Sequence, residues 1–521
     1  MENKALTKHA AAVAAGTMLS RVLGYIRDML VANFFGAGIF ADAFYAAFRI
    51  PNLFRRMLGE GSFCAAFIPV FSQYLHTKEK SATQEMLNAV FSALLILLLI
   101  VCALGMFFSP WLVKIIVWGF TNDPDKLNLT IELTRLMFPF VLFICLAAFL
   151  LAILNTLYSF FLPAVAPASL SVAEILYMLC VLPLIVFEQN QIKGLALAVI
   201  AGGLLHFGLQ YPLLKKLGWK LKFKLNLKHP AIKKIAFLMI PSIIGLSVDQ
   251  INAFVDNICA SFLESGSITA LYYSNRVMQL PLAIFGLALA TVSLPAMSKA
   301  ASLKDIKTLN NSLNFSIKLS VFAMLPAAAG LMAVGLPIVK LLFERGRFDA
   351  YASLITNKAL FYYSLGLPAY AITKLLANAF YSFCDTKTPV VTACASMVLH
   401  VILCIVLMYP MQTGGLALAT SLSAYFNLIL LAVFLRKKRP EIKSLNVWTS
   451  IIKSLIAALL AGVISFFVYA QLSAHLFIGV AASIISACLV FVAAAFLMKS
   501  EELQIFIDVI KRKIGWAKKP N

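Results

Sequence analysis

Two apolar stretches near the start of the chain carry five arginines, Arg21 and Arg27 in "SRVLGYIRD" and Arg49, Arg55 and Arg56 in "FRIPNLFRR". A guanidinium is a planar fork of donors that holds carboxylate or phosphate oxygens two at a time. At the centre of a bilayer a charged side chain costs roughly 2.5 to 3.5 kcal/mol even on insertion scales, so these residues must face a wet cavity, pair with acids, or reach an interface. The acids close in sequence are Asp28, Asp42 and Glu60. At helical spacing Arg21, Gly24 and Asp28 share a face, and Asp42, Arg49 and Arg56 share another, with Pro51 loosening the register beyond it. Five cations against these three acids leave positive charge over. That excess suits capture of an anionic substrate. The structural alternative is ion pairing within the helices, with Arg55 and Arg56 marking the end of a span.

A second ionic cluster lies in "SVDQINAFVDNICASF", where Asp249 and Asp256 stand seven residues apart with Asn252 and Asn257 beside them. An acid at membrane depth is expensive, so a cation or a proton is a candidate occupant, with Asn378 and Asp385 as candidate partners. Hydrogen bonds to neighbouring helices are the alternative. Enzymatic chemistry finds little support. The six histidines never approach HExxH spacing, "SIIK" at 450–453 lacks the companion motifs of a serine acylase, and no GxxxxGK[ST] loop is present to bind ATP.

The elements that would position these groups follow from composition. With 61% hydrophobic and 13% charged residues and a mean hydropathy of +0.90, the chain reads as a polytopic membrane protein. Its net charge of +22 would suit nucleic acid only if the basic residues sat on a polar soluble segment, and no segment is long and polar enough. The nine cysteines are scattered without CxxC or CxxH spacing and read as reduced packing residues. The first apolar run contains Arg21 and Arg27 and extends to about Phe35, too long and too charged for a cleaved signal peptide.

At about 20 residues per crossing, fourteen spans are predicted, the first near 10–35, the second near 41–74 and the last near 475–498. Alternate loops hold "HTKEK", "KKLGWKLKFKLNLKHPAIKK", "SKAASLKDIK" and "RKKRPEIK", whereas the others hold "FGAG", "LESGS", "MQTGG" and "QLSAH". By the positive-inside rule both termini are cytoplasmic. "FERGRFDA" is the exception among the outer loops, read as a short interfacial helix, and residues 499–521 read as an amphipathic helix on anionic lipid.

Internal repetition sets the predicted architecture. Residues 19–49 align without a gap to 246–276, "LNTLYSF" (154–160) matches "ANAFYSF" (377–383), and "GLALA" recurs at 194–198 and 415–419. Three matches in one order indicate two parallel six-helix lobes, 1–217 and 218–440, two extra spans over 441–498, and the tail 499–521. Such a repeat places the binding site between the halves and suggests that one lobe rocks against the other.

"SRVLGYIRD", "FGAGIFADAFYAAFRIPNLFRRMLGEGSFCAAFIPVF" and "ALYYSNRVMQLP" resemble the signature segments of the MurJ (MviN) family, lipid II flippases of the multidrug/oligosaccharidyl-lipid/polysaccharide exporter superfamily. The resemblance extends over essentially the whole chain. It implies an all-α protein of fourteen transmembrane helices that moves the undecaprenyl-pyrophosphate-linked peptidoglycan precursor from the inner to the outer leaflet by alternating access. It also implies substrate-binding roles for Arg21, Arg27, Asp42, Asn52, Arg55 and Arg276, to which the charge pattern adds Arg49. Asn275 stands where some relatives carry an acid, which leaves the pairing of Arg276 open. Some relatives bind sodium in the second lobe, so Asp256, Asn378 and Asp385 are a candidate site, with the membrane potential as the other driving force. The last two spans match a groove for the lipid tail. Lipid II and membrane lipids are the expected partners of a monomer in the bacterial inner membrane. The competing class is a drug or cation antiporter of the same superfamily, which the excess of arginine disfavours.

Overall fold

The computed structural model describes residues 2–56, 61–442 and 447–504, with side chains from Ala15 onward apart from those at 241, 242 and 244–249. The described residues are helical with no strand, and nine helical stretches among them are long and apolar enough to cross a membrane. Two compact units emerge, Met1–Thr269 with Arg345–Phe348, and Ala270–Glu344 with Asp349–Asn521.

The first unit opens with α1 (Glu2–Phe35), α2 (Ile39–Phe54) and α3 (Ser62–Thr77). Within the predicted second span the described residues form two helices of 16 residues each, α2 and α3; residues 57–60, Glu60 among them, lie outside the described set. Next come α4 (Lys80–Ile116), α5 (Pro124–Met137), α6 (Pro139–Thr156), α7 (Phe161–Val165), α8 (Ala168–Leu176), α9 (Glu188–Lys216) and α10 (Pro230–Ser261). Local chemistry sets several starts. Asp123 accepts from the Lys126 N–H at 3.1 Å with Pro124 at the first helical position, and His229 Nδ1 caps α10 with Pro230 in the same place. On α3, Phe63, Phe67 and Phe71 stack at four-residue spacing, with centroids 5.4 and 5.5 Å apart, and Phe149 of α6 meets Phe67 edge-on at 5.1 Å. Because lipid is as apolar as phenylalanine, such contacts stabilise by close packing rather than by expelling water.

The second unit holds most of α11 (Ser267–Pro281), then α12 (Ala288–Ser302), α13 (Ile306–Phe343), α14 (Ala350–Leu365), α15 (Leu367–Ser382), α16 (Lys387–Met411), α17 (Thr413–Lys438), α18 (Trp448–Gln471) and α19 (Leu476–Leu497). Met297, Leu313, Leu375, Phe380 and Leu431 belong to its main buried cluster. The two last helices pack on each other and on α13 through a second cluster, in which Ala457 and Ala461 of α18 allow close approach beside Phe322 and Phe491. The amphipathic tail expected over 499–521 falls outside the described residues beyond Gln504.

The two aligned stretches are both helix, short turn, helix: α1 and α2 part at 36–38, and α10 and α11 at 262–266. "FERGRFDA" departs from expectation. It is a turn rather than an interfacial helix, because Gly346 takes φ +55° against the Asn33 backbone and the Arg347 N–H donates to the Asn33 carbonyl at 3.0 Å. Arg347 also pairs with Glu188 at 2.6 Å, which holds the turn at the end of α1.

Candidate functional site

Arg27 lies between two acids. Its Nη2 lies 2.6 Å from Asp28 Oδ1 and its Nε 3.6 Å from Glu174 Oε2 on α8, with both acids buried. Asp28 is thus engaged by the adjacent arginine rather than by Arg21, its helical-face neighbour in sequence. Two buried carboxylates thus flank one guanidinium. Glu174 was not among the acids weighed from sequence, although an ionisable residue inside the apolar stretch 163–187 is itself the signal.

Asp42 is engaged from four directions. Its Oδ2 accepts from Lys126 Nζ at 2.9 Å and from the Gly266 N–H at 2.7 Å, and its Oδ1 accepts from the Thr269 N–H at 2.9 Å and the Thr269 hydroxyl at 2.7 Å. The carboxylate therefore ties α2 to the start of α5 and to the turn that leads into α11. Gly266, at φ +97° and facing the Ala37 carbonyl, leaves no room for a side chain there. Lys126 completes its own shell with Ser265 Oγ at 3.1 Å and the Phe120 ring at 4.2 Å. This lysine escaped the sequence reading because it lies 84 residues from its acid.

The other arginines differ in their settings. Arg49 donates from Nη2 to the Ala253 carbonyl of α10 at 2.8 Å. Asn52 orients Arg55 by accepting from its Nε at 2.8 Å, one turn away on the same helix. Arg21 and Arg56 are exposed, and Arg276 is half-buried on α11. Asn275 is met within that helix by Gln279, whose Nε2 donates to its Oδ1.

The residues proposed for a cation are dispersed in their roles. Asp256 is half-buried on α10; one turn earlier the Oδ1 of Asn252, and next to it the Nδ2 of Asn257, are buried with no hydrogen-bond partner among the described residues. Asn378 Nδ2 donates to the Ala290 carbonyl at 2.7 Å. Asp385 caps α16 through the Thr388 N–H and hydroxyl, at 3.0 and 2.6 Å, and pairs with Lys438 Nζ at 3.0 Å. Desolvation would raise the Asp385 carboxyl, but the Thr388 and Lys438 bonds outweigh it and hold it down at about 2. The side chain of Asp249 lies outside the described set. The nine cysteines are thiols and form no disulfide.

Comparison with known proteins adds to this geometry. The sequence profile of the family described as "Lipid II flippase MurJ" matches residues 31–502. A probable lipid II flippase MurJ of Vibrio cholerae serotype O1 is 38% identical over 436 residues, 82% of this chain and 82% of that protein. The lipid II flippase MurJ of Burkholderia cenocepacia is 35% identical over 430 residues, 82% of this chain and 83% of its own. A solved lipid II flippase MurJ in an inward closed conformation is similar at 28% identity with a TM-score of 0.77, covering 96% of this chain and 99% of that one. An inward-facing multidrug resistance transporter of the MATE family has a TM-score of 0.67 at 14% identity over 84% of this chain and 98% of its own, a likeness of fold alone.

Proposed function

The chain belongs to the lipid II flippase MurJ family, a family of membrane transporters rather than catalysts, and from that membership we propose that it carries lipid II from the inner to the outer leaflet of the bacterial cytoplasmic membrane. The observation that carries this reading is the likeness to a solved lipid II flippase along nearly the whole length of both chains. In the proposed mechanism two lobes alternate in access to a cationic cavity, and the monomer suffices because its own lobes make the pathway. The last two spans shelter the polyprenyl tail, which never leaves lipid. Both termini lie in the cytoplasm.

The side chains support a division of labour within that reading. A pyrophosphate entering the protein loses hydration worth many kcal/mol, which guanidinium forks offset by charge-assisted bonds. Arg21, exposed, and Arg55, aimed by Asn52, are the groups of the first unit best disposed to meet it, and the family resemblance gives Arg276 the same role. Arg27 meets the substrate while held by Asp28 and Glu174, and Asp42 and Arg49 act through the helices they fasten. Outward movement of two negative charges gains roughly 4 to 5 kcal/mol per 100 mV with the interior negative. A cation at Asp256 is the second source of drive. The open Asn252 oxygen one turn away favours it, whereas Asp385 already holds an ammonium.

The test is depletion of the protein in cells followed by measurement of lipid II in each leaflet. Accumulation in the inner leaflet, relieved by the parent gene and not by Arg21→Ala at equal abundance, is expected. Normal outward transport after depletion would overturn the reading.

A further inference from the structure

The run "WKLKFKLNLK", Trp219–Lys228, links α9 to α10 and alternates apolar with basic or polar residues at period two. It is non-helical and lies along the first turns of α4 in matched register. The Lys220 N–H donates to Gln84 Oε1 at 3.2 Å, the Lys222 N–H to Asn88 Oδ1 at 3.0 Å, and the Lys224 N–H to Ser92 Oγ at 2.8 Å. Gln84 Nε2 returns a bond to the Lys220 carbonyl. Two extended residues advance about 6.6 Å and four helical residues about 6.0 Å, so every second amide of the run meets every fourth side chain of the helix. Such a ladder fixes an extended backbone without any partner strand.

That register decides where the side chains fall. Gly218, at φ +82°, turns the chain after α9, and Trp219 is buried against Phe71 at 6.1 Å. Beyond that anchor the apolar residues run out of protein to pack on: Phe223, Leu225 and Leu227 are 60%, 57% and 57% exposed. Lys220, Lys222, Lys224 and Lys228 are exposed between and beside them, with Glu85, 3.7 Å from Lys224, as a neighbouring acid. On α4 the side chains that meet the run, Gln84, Glu85, Asn88 and Ser92, are polar, whereas from Leu94 to Phe108 the helix is almost wholly apolar, with Leu97, Leu99 and Ile100 about half exposed. The outer part of the run therefore stands at the depth where a helix passes from headgroups into hydrocarbon.

We propose that this clamped strand is a binding surface for anionic phospholipid, separate from the transported substrate. Its lysine ammoniums pair with headgroup phosphates, and Phe223, Leu225 and Leu227 enter the outer acyl layer. Three large apolar side chains in alternate positions are costly in water, and four ammoniums in nine residues complement an anionic leaflet. The surface anchors the loop at a defined height, so that α9 and α10 emerge from the membrane at fixed depth.

The experiment uses the full chain in vesicles with and without phosphatidylglycerol in phosphatidylcholine, with the exposed Cys180, Cys384, Cys394 and Cys488 changed to Ser. Nitroxides placed singly at 222 to 227 report collision with oxygen, which partitions into lipid, and with a nickel chelate, which stays in water. Expected is an alternation, oxygen favoured at 223, 225 and 227 and the chelate at 222 and 224, with deeper readings when phosphatidylglycerol is present. Changing Lys220, Lys222, Lys224 and Lys228 together to Gln should abolish that dependence and lower phosphatidylglycerol retained on the purified protein by about threefold or more. Access of the chelate at all positions would mean a solvated loop. Exclusion of both reagents at 223, 225 and 227 would mean that another protein strand covers the run. Either result, or undiminished phosphatidylglycerol retention in the lysine variant, would overturn the proposal.

Discussion

Lys126 Nζ stands 2.9 Å from Asp42 Oδ2, with the two side chains 6% and 1% exposed, although 84 residues separate them. A buried pair of this kind is worth little against an apolar replacement of both members. Breaking it from one side costs roughly 3 to 5 kcal/mol, because a charge is left without compensation. Lys126→Met should therefore lower membrane abundance and the detergent melting temperature sharply, and the double variant with Asp42→Asn should lose less than the two single variants summed, keeping the loss that comes from the Gly266 and Thr269 donors. Thermal denaturation of the purified single and double variants measures the coupling. Additive losses in the double variant would show that the pair does not act as a unit.

Arg21 and Arg27 should separate when each is changed to Ala. Arg27→Ala removes the guanidinium that the buried Asp28 and Glu174 share and is expected to destabilise by roughly 3 to 5 kcal/mol. Arg21, exposed on the same helix, should lose lipid II export while its abundance stays near that of the parent. Immunoblot abundance together with export complementation decides between the two outcomes, and equal abundance of both variants would contradict the assigned pairing.

For Arg55 the relevant comparison is with lysine. Asn52 accepts from Nε and so orients the guanidinium, whose planar fork suits a bidentate anion. Arg55→Lys keeps the charge and loses that fork, so export should be partial, below the parent and above Arg55→Ala. Full export with Lys would reduce the role to a field effect.

Asp385 provides a pH signature. Its carboxyl is held at about 2 against an ordinary value of 3.8, so its contribution to stability is complete above about pH 4 and disappears as pH falls through about 2. The melting-temperature gap between the parent and Asp385→Asn should be constant near neutrality and narrow over that window. A gap that widened on acidification would reverse the sign and exclude the Lys438 and Thr388 bonds as its source.

Topology is checked by labelling single cysteines in intact cells after the exposed native thiols have been replaced. Ser473→Cys, in an exposed turn between α18 and α19, should react with an impermeant maleimide from outside, whereas Lys222→Cys should react only after permeabilisation. Labelling of Lys222→Cys in intact cells would invert the assigned orientation.

Some of this was legible in the amino-acid order because it depends on local properties. Apolar runs of spanning length, the arginine load of the first two of them, the lysines of alternate loops and the motifs around "SRVLGYIRD" each occupy a few consecutive residues, and they pointed to a helical membrane transporter of the family the chain belongs to. Helix starts at Pro124 and Pro230 were likewise written in adjacent residues. Which charges remain available was not. Counting three nearby acids left an excess of cations, but Glu174 comes to Arg27 from a helix more than a hundred residues later, and Lys126 reaches Asp42 from beyond α3 and α4. The turn at 344–349 likewise depends on a carbonyl at Asn33. Ion pairs and hydrogen bonds act over a few ångströms and only in the geometry that packing imposes, so the inventory of charges follows from sequence, while their neutralisation is decided by the tertiary structure.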